Sequence, residues 1–157
     1  MFSKTGELAG SCKVWIFMLI LLCGFAAVDF VLFANVRRTF VFYELDSGRQ
    51  LVEERMLSRS NSQETAILRY VRDMILGPST MEAAALINQG TVVNSLLLRN
   101  SDGIRCVYLD LSEQAAVPPP EGGEVLHNLE IVKECIHRNF MFVKEVKIFI
   151  NGNEIDR

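Results

Sequence analysis

From Val14 to Phe33 the chain is apolar at almost every position, and its one charge there is Asp29. A helix on the surface of a soluble domain keeps a polar face, and this run has none. At 1.5 Å per residue it would extend about 30 Å as a helix, which matches the hydrocarbon core of a bilayer. The pattern predicts an uncleaved membrane anchor over 14–33, with Trp15 at an interface. A buried core helix, a cleaved signal peptide and a lipoprotein signal are the competing readings. The small cluster Gly24 to Ala27 suits a cleavage site, but the apolar run continues past it. Cys23 would be the lipidated residue, yet bulky Leu22 precedes it where a small residue is usual. Asp29 stands near the C-terminal end of the run, where a carboxylate costs less than the roughly 2.5–3.5 kcal/mol of a helix centre. An interfacial aspartate is the simple reading, and a polar contact with another membrane helix is the alternative. Lys4 and Lys13 before the run balance Arg37 and Arg38 after it, so flanking charge sets no orientation.

Beyond the run the periodicity changes. Residues 1–13 read as a short tail, 34–38 as a linker and 39–155 as one domain. Thr39 to Leu45 is β-branched and aromatic and predicts a strand, closed by the turn residues Asp46-Ser47-Gly48. Gln50 to Leu57 predicts a charged edge strand, with Glu53 and Glu54 solvated. Asn61 with Glu64, and Ser60 with Gln63, have capping-box spacing. Ile67, Leu68, Val71, Met74 and Ile75 then repeat at three and four residues, as one face of a helix does. Gly77, in a left-handed cap, and Pro78 end it. Thr80 to Asn88 reads as an alanine-rich helical turn or loop.

Thr91 to Arg99 and Ile104 to Leu111 predict two strands of a hairpin turning at Asn100 to Gly103. On the second strand Val107, Leu109 and Leu111 share one face, and Cys106, Tyr108 and Asp110 the other. Val117 to Gly123 is a stiff, then flexible connector. Glu124 to Asn139 predicts a helix with the stripe Val125, Leu129, Val132 and Ile136. Val143 to Asn151 predicts the last strand, with Val146, Ile148 and Ile150 on one face and a turn at Asn151-Gly152. The expected fold is α+β. It has a small mixed β-sheet with two helices packed on one face, in the order β-(β)-α-β-β-α-β, preceded by one transmembrane helix.

Composition narrows the function. The net charge over 157 residues is −3 with signs interspersed, so no basic stripe offers itself to nucleic acid. A mildly acidic module also gains nothing from an anionic membrane surface. Four cysteines occur, none in a Cys-x-x-Cys pair. If Val107 faces the helices, Cys106 points away from a helix-borne Cys135, which argues for two free thiols over a disulfide.

Four local motifs in order resemble the GerMN domain of sporulation and germination proteins and related bacterial envelope proteins. They are Val41-Phe42-Tyr43 through Asp46-Ser47-Gly48; Met74-Ile75-Leu76-Gly77-Pro78-Ser79; Gly90-Thr91-Val92-Val93 with Asp102-Gly103 and Leu109-Asp110-Leu111-Ser112; and Val146 through Glu154. The resemblance covers about residues 39 to 155. Asn88-Gln89 stand where the family usually has a proline, and the loop with three prolines departs from its pattern. The resemblance implies an extracytoplasmic domain, often tethered by a lipid or a helix, that acts in assembly or binding at the envelope. It implies a cytoplasmic N-terminus with the domain outside, and no catalytic residue.

The residues themselves offer little chemistry. His127 and His137 lie ten apart on one helix, too far apart for one metal, and read as solvated positions. Asp110 reads as a cap for the loop after its strand, through Ser112 or nearby amides. Gly122-Gly123 before a helix could cradle an anion, but no P-loop lysine accompanies them. No catalytic, cofactor or metal residue is therefore assigned. Tyr108 and Phe149, on the faces turned from the helices, form the candidate interaction surface. The expected function is a scaffold or interaction module in an envelope complex, with envelope or membrane proteins as partners and self-association as an option. A ligand-binding domain for cell-wall or lipid fragments is the alternative.

Overall fold

The computed structural model describes residues 5–33, 35–120 and 123–155, with the side chains of the first helix described from Val14 to Val28. The chain divides into two compact units, Met1–Asn35 and Val36–Arg157. In the first, α1 runs Thr5–Phe33 and includes the whole apolar run. Among the described residues no helix is long and apolar enough to cross a membrane. The Asp29 side chain and Gly122 lie outside the described residues.

In the second unit β1 (Asn35–Glu44) and β2 (Gln50–Ser58) form a hairpin around the turn that Gly48 permits with φ +62°. The strand begins at Asn35 and takes in Arg37 and Arg38, which the sequence placed in a linker. Next comes α2 (Gln63–Leu76). Its N-cap is Ser62, whose Oγ accepts from the Thr65 amide at 3.0 Å, rather than Ser60 or Asn61. Its buried face is Ile67, Tyr70, Val71, Met74 and Ile75; Tyr70 is fully buried and Leu68 only half-buried. Gly77 ends the helix at φ 86°, ψ −175°. That is not the left-handed helical cap expected from sequence but a backbone region that is essentially glycine's alone.

The alanine-rich stretch contributes a strand, β3 (Ala83–Ala84), where a helical turn or loop was expected. It pairs antiparallel with the end of β1, Tyr43 opposite Ala84. The reason is local: small side chains let this backbone lie against an open strand edge, and the Leu45 amide donates to the Glu82 carbonyl at 2.8 Å. Next, β4 (Val93–Ser101) and β5 (Ile104–Leu111) pair antiparallel around Asp102-Gly103. Both turn residues have positive φ, as a two-residue type I′ turn requires. A 3-10 turn (Glu113–Ala116) and the proline-rich loop lead to α3 (Val125–Asn139), then β6 (Glu145–Ile150) and β7 (Asn153–Glu154). β6 lies parallel to β5, and β7 folds back on β6.

The unit is α+β, but it holds two sheets and not one: β2-β1-β3 and β4-β5-β6-β7. Near the end of β1 its free edge is occupied by β3, and at Thr39 by the Asn139 side chain, so the strand does not join the larger sheet. α2 lies against β4 and α3 against β6. One core unites Phe40 and Phe42 of β1, the buried faces of both helices, and Val107, Leu109, Leu111, Ile148 and Ile150 of the larger sheet. Burial on this scale, at about 25 cal/mol per Å² of apolar surface, is the main stabilising term.

Candidate functional site

Alternation along β5 sends Val107, Leu109 and Leu111 into the core and leaves Cys106, Tyr108 and Asp110 on the opposite face of the four-stranded sheet. The parallel register places Lys147 beside Tyr108 and Phe149 beside Asp110. Tyr108 and Phe149 are thus diagonal neighbours, and their rings lie stacked with centroids 6.4 Å apart and planes 27° from parallel. Leu97 stands opposite Tyr108 on β4 and is 47% exposed. An apolar strip therefore crosses three strands of an otherwise polar face. Its border carries charge, with the Lys147 ammonium 3.0 Å from the Glu154 carboxylate. That hydrogen bond is the main reason the Lys147 pKa is raised. Cys106 shares this face yet is only 6% exposed, and burial pushes its thiol pKa up. Cys106 and Cys135 are both free thiols.

The remaining polar residues singled out by sequence have structural partners. Asp110 does cap a loop, but a distant one. Its carboxylate accepts from the Gly152 amide at 2.9 Å and from Asn94 Nδ2 at 3.2 Å. The β6–β7 turn lies beside the end of β5, so the amide it reaches is 42 residues away in sequence. Ser112 makes its own clasp: its Oγ accepts from Val92 N at 2.9 Å and its amide donates to Val92 O at 2.8 Å. Of the histidines, expected to be solvated, His127 is exposed and His137 half-buried, and each has a protein partner. His127 Nε2 is 2.7 Å from Tyr43 Oη, and His137 Nδ1 is 3.3 Å from the Val143 carbonyl. Among the described residues no three His, Cys, Asp or Glu side chains gather as a metal set.

Glu53 is where the sequence reading fails most clearly. It is not a solvated edge residue, because β2 alternates and Glu53 and Arg55 share the half-buried face with Leu51 and Leu57. The Arg55 guanidinium meets the Glu53 carboxylate at 2.8 Å and donates to the carbonyls of Asp73 at 3.2 Å and Gly77 at 2.6 Å. It also lies 5.0 Å from the Phe40 ring centroid. Glu53 accepts from the Ser79 amide at 3.1 Å and from the Ser79 hydroxyl. Arg55 thus satisfies one carbonyl of the last helical turn, Asp73, and that of the cap Gly77, and Glu53 holds the chain just past the helix. The Arg55 hydrogen bond, with help from Ser79, lowers the Glu53 pKa to about 2. The Gly-Pro-Ser motif was the available signal; its partners were hidden because they come from a strand twenty-odd residues earlier.

No protein-family model and no curated protein matches the chain. Among solved structures, the fold is similar to the tandem GerMN domains of the sporulation protein GerM from Bacillus subtilis. The TM-score is 0.54 at 17% identity, covering 76% of this chain and 40% of that one. The crystal structure of a "putative lipoprotein" from Clostridium perfringens aligns with a TM-score of 0.48 at 16% identity, covering 78% of each chain. The chain has a GerMN-like fold.

Proposed function

We propose that the domain is a non-catalytic interaction module of the cell envelope, tethered by the segment 14–33, with its N-terminus in the cytoplasm and the domain outside. The observation that carries the binding role is the stacked Tyr108–Phe149 pair, extended by Leu97, on the face of the sheet opposite the helices. An apolar strip ringed by charge suits a protein contact: the strip supplies area to bury and the rim supplies register. The GerMN-like fold and the apolar run of α1 support the envelope setting. Tethering adds effective concentration, so even a weak contact can be occupied in the plane of a membrane.

A photo-crosslinking residue at position 97, with Tyr108 and Phe149 left intact, tests the contact. A discrete adduct should form in cells and vanish when Tyr108→Glu or Phe149→Glu is added to a folded variant. An adduct indifferent to both changes would refute the face. Protease added to intact spheroplasts tests the topology. Digestion of the domain is expected, and protection until lysis would reverse the orientation.

A further inference from the structure

On the second unit, away from the sheet face, the start of β1, the end of β2 and the first turn of α2 enclose a cleft of about 240 Å³. Three guanidiniums line it, from Arg38, Arg59 and Arg69, and no carboxylate does. This is a local excess of positive charge on a chain whose net charge is −3. Among the described residues none of the three arginines pairs with an acid. Two are held in place by the fold. Arg38 donates to the Asn139 carbonyl and lies 4.2 Å from the Phe140 ring centroid. Arg69 donates to the Ser58 carbonyl at 3.3 Å. Each guanidinium carries five N–H groups, so donors remain for a ligand. Leu57, Phe140 and Phe142 supply an apolar wall.

We propose that this cleft binds a phosphate-bearing anion, with Arg38, Arg59 and Arg69 on the phosphate oxygens and the apolar wall against the adjoining part of the ligand. Guanidinium forks match phosphate geometry and form charge-assisted hydrogen bonds, which are about twice as strong as neutral ones. Positioning by backbone carbonyls and by a ring reduces the side-chain entropy lost on binding. An anionic lipid headgroup and a soluble phosphate offer the same chemistry. In sequence the cleft residue Val36 follows Phe33, the last residue of the apolar run, by three positions, which favours the lipid source and rests on the reading of 14–33 as a membrane tether. The site does not depend on the Tyr108–Phe149 face.

The test uses the full chain in neutral detergent micelles at constant ionic strength. It is titrated calorimetrically with inorganic phosphate and separately with dihexanoyl phosphatidylglycerol, with dihexanoyl phosphatidylcholine as the zwitterionic control. Saturable binding is expected, weakened about tenfold or more in Arg59→Gln/Arg69→Gln, since two charge-assisted contacts are lost. Both residues are exposed, so the unliganded melting temperature should hold; Arg59→Gln alone replaces the pair if it does not. Binding of phosphatidylglycerol alone would assign a lipid headgroup, and equal binding of inorganic phosphate a soluble ligand. Absence of saturable binding by either, or binding unchanged in the folded variant, would overturn the proposal.

Discussion

Asn139 holds both main-chain polar groups of Thr39: its Oδ1 accepts from the Thr39 amide at 2.8 Å, and its Nδ2 donates to the Thr39 carbonyl at 2.7 Å. A residue of a neighbouring strand would satisfy the same two groups, so one side-chain amide at the end of α3 stands in for a strand. The same Nδ2 lies 3.0 Å from Tyr70 Oη and 2.9 Å from the Cys135 carbonyl. Tyr70 in turn donates to the Thr39 carbonyl at 2.7 Å. One amide therefore joins β1, α2 and α3 at a half-buried point where water is a poor substitute.

Asn139→Ala should accordingly destabilise the domain by about 1–3 kcal/mol, because it leaves the Thr39 amide unpaired and removes one of the two donors from the Thr39 carbonyl. Asn139→Asp should be no better, since a carboxylate facing the Thr39 and Cys135 carbonyls has no proton to donate. Urea unfolding of both variants checks this, and a loss under about 0.5 kcal/mol in each would show the amide to be dispensable.

Gly77→Ala should cost more than Gly48→Ala. Both glycines have positive φ, but Gly48 is in open space. A Cβ at Gly77 would meet Gln89 Nε2 at 3.1 Å and Ala85 Cβ at 3.4 Å, and its ψ of −175° lies outside the left-handed helical region. The strain alone is about 1–3 kcal/mol. Equal melting temperatures for the two variants would contradict the helix-end geometry.

The clamp formed by Glu53 and Arg55 should be visible in acid. The folded pKa of Glu53, about 2, lies below its ordinary value of 4.5. The stability this group contributes is therefore full above pH 4.5 and is lost as pH falls toward 2. Glu53→Gln should flatten the pH dependence of the melting temperature in that window while lowering stability at neutral pH. A variant whose acid profile overlays the wild type would remove Glu53 from the titration.

The unit Val36–Arg157 should fold without α1. Its core, caps and turns all close within that span. A purified fragment 36–157 should melt in one cooperative transition; a featureless thermal scan would show that the first unit is required.

How much of this could be read in the sequence follows from how local each signal is. The β4–β5 hairpin was legible because Asp102-Gly103 fixes a turn and the alternation fixes the faces on either side. The same alternation placed Tyr108 and Phe149 on one face, and the parallel register, which no local motif encodes, brought their rings together. The split into two sheets was not legible, since it depends on which groups take up the edge of β1: Asn139, 100 residues away, and a two-residue strand of alanines with no strand propensity. The role of Glu53, and which loop Asp110 caps, escaped for the same reason, as their partners are distant in sequence.

The last prediction separates a binding surface from a reaction centre. Asp110, His127 and His137 are the residues an acid–base mechanism would recruit, yet each has a structural partner: the Gly152 amide for Asp110, the Tyr43 hydroxyl for one ring nitrogen of His127 and the Val143 carbonyl for one ring nitrogen of His137. Asp110→Ala should cost about 1–2 kcal/mol through the uncapped turn, and the two histidine variants less than about 1 kcal/mol each, as for single hydrogen bonds at exposed or partly buried sites. Cellular function should follow those losses and nothing more, so a condition that restores folded protein, such as lower temperature, should restore function. Tyr108→Glu and Phe149→Glu should behave in the opposite way. Their rings are half-buried on an outer face, so the melting temperature should fall little, while function is lost because a charge sits in the apolar strip. The deciding comparison is function against folded fraction across all five variants. Aromatic variants lying on the line set by Asp110→Ala would deny the face a binding role. A fully folded histidine or Asp110 variant without function would instead point to chemistry at that residue.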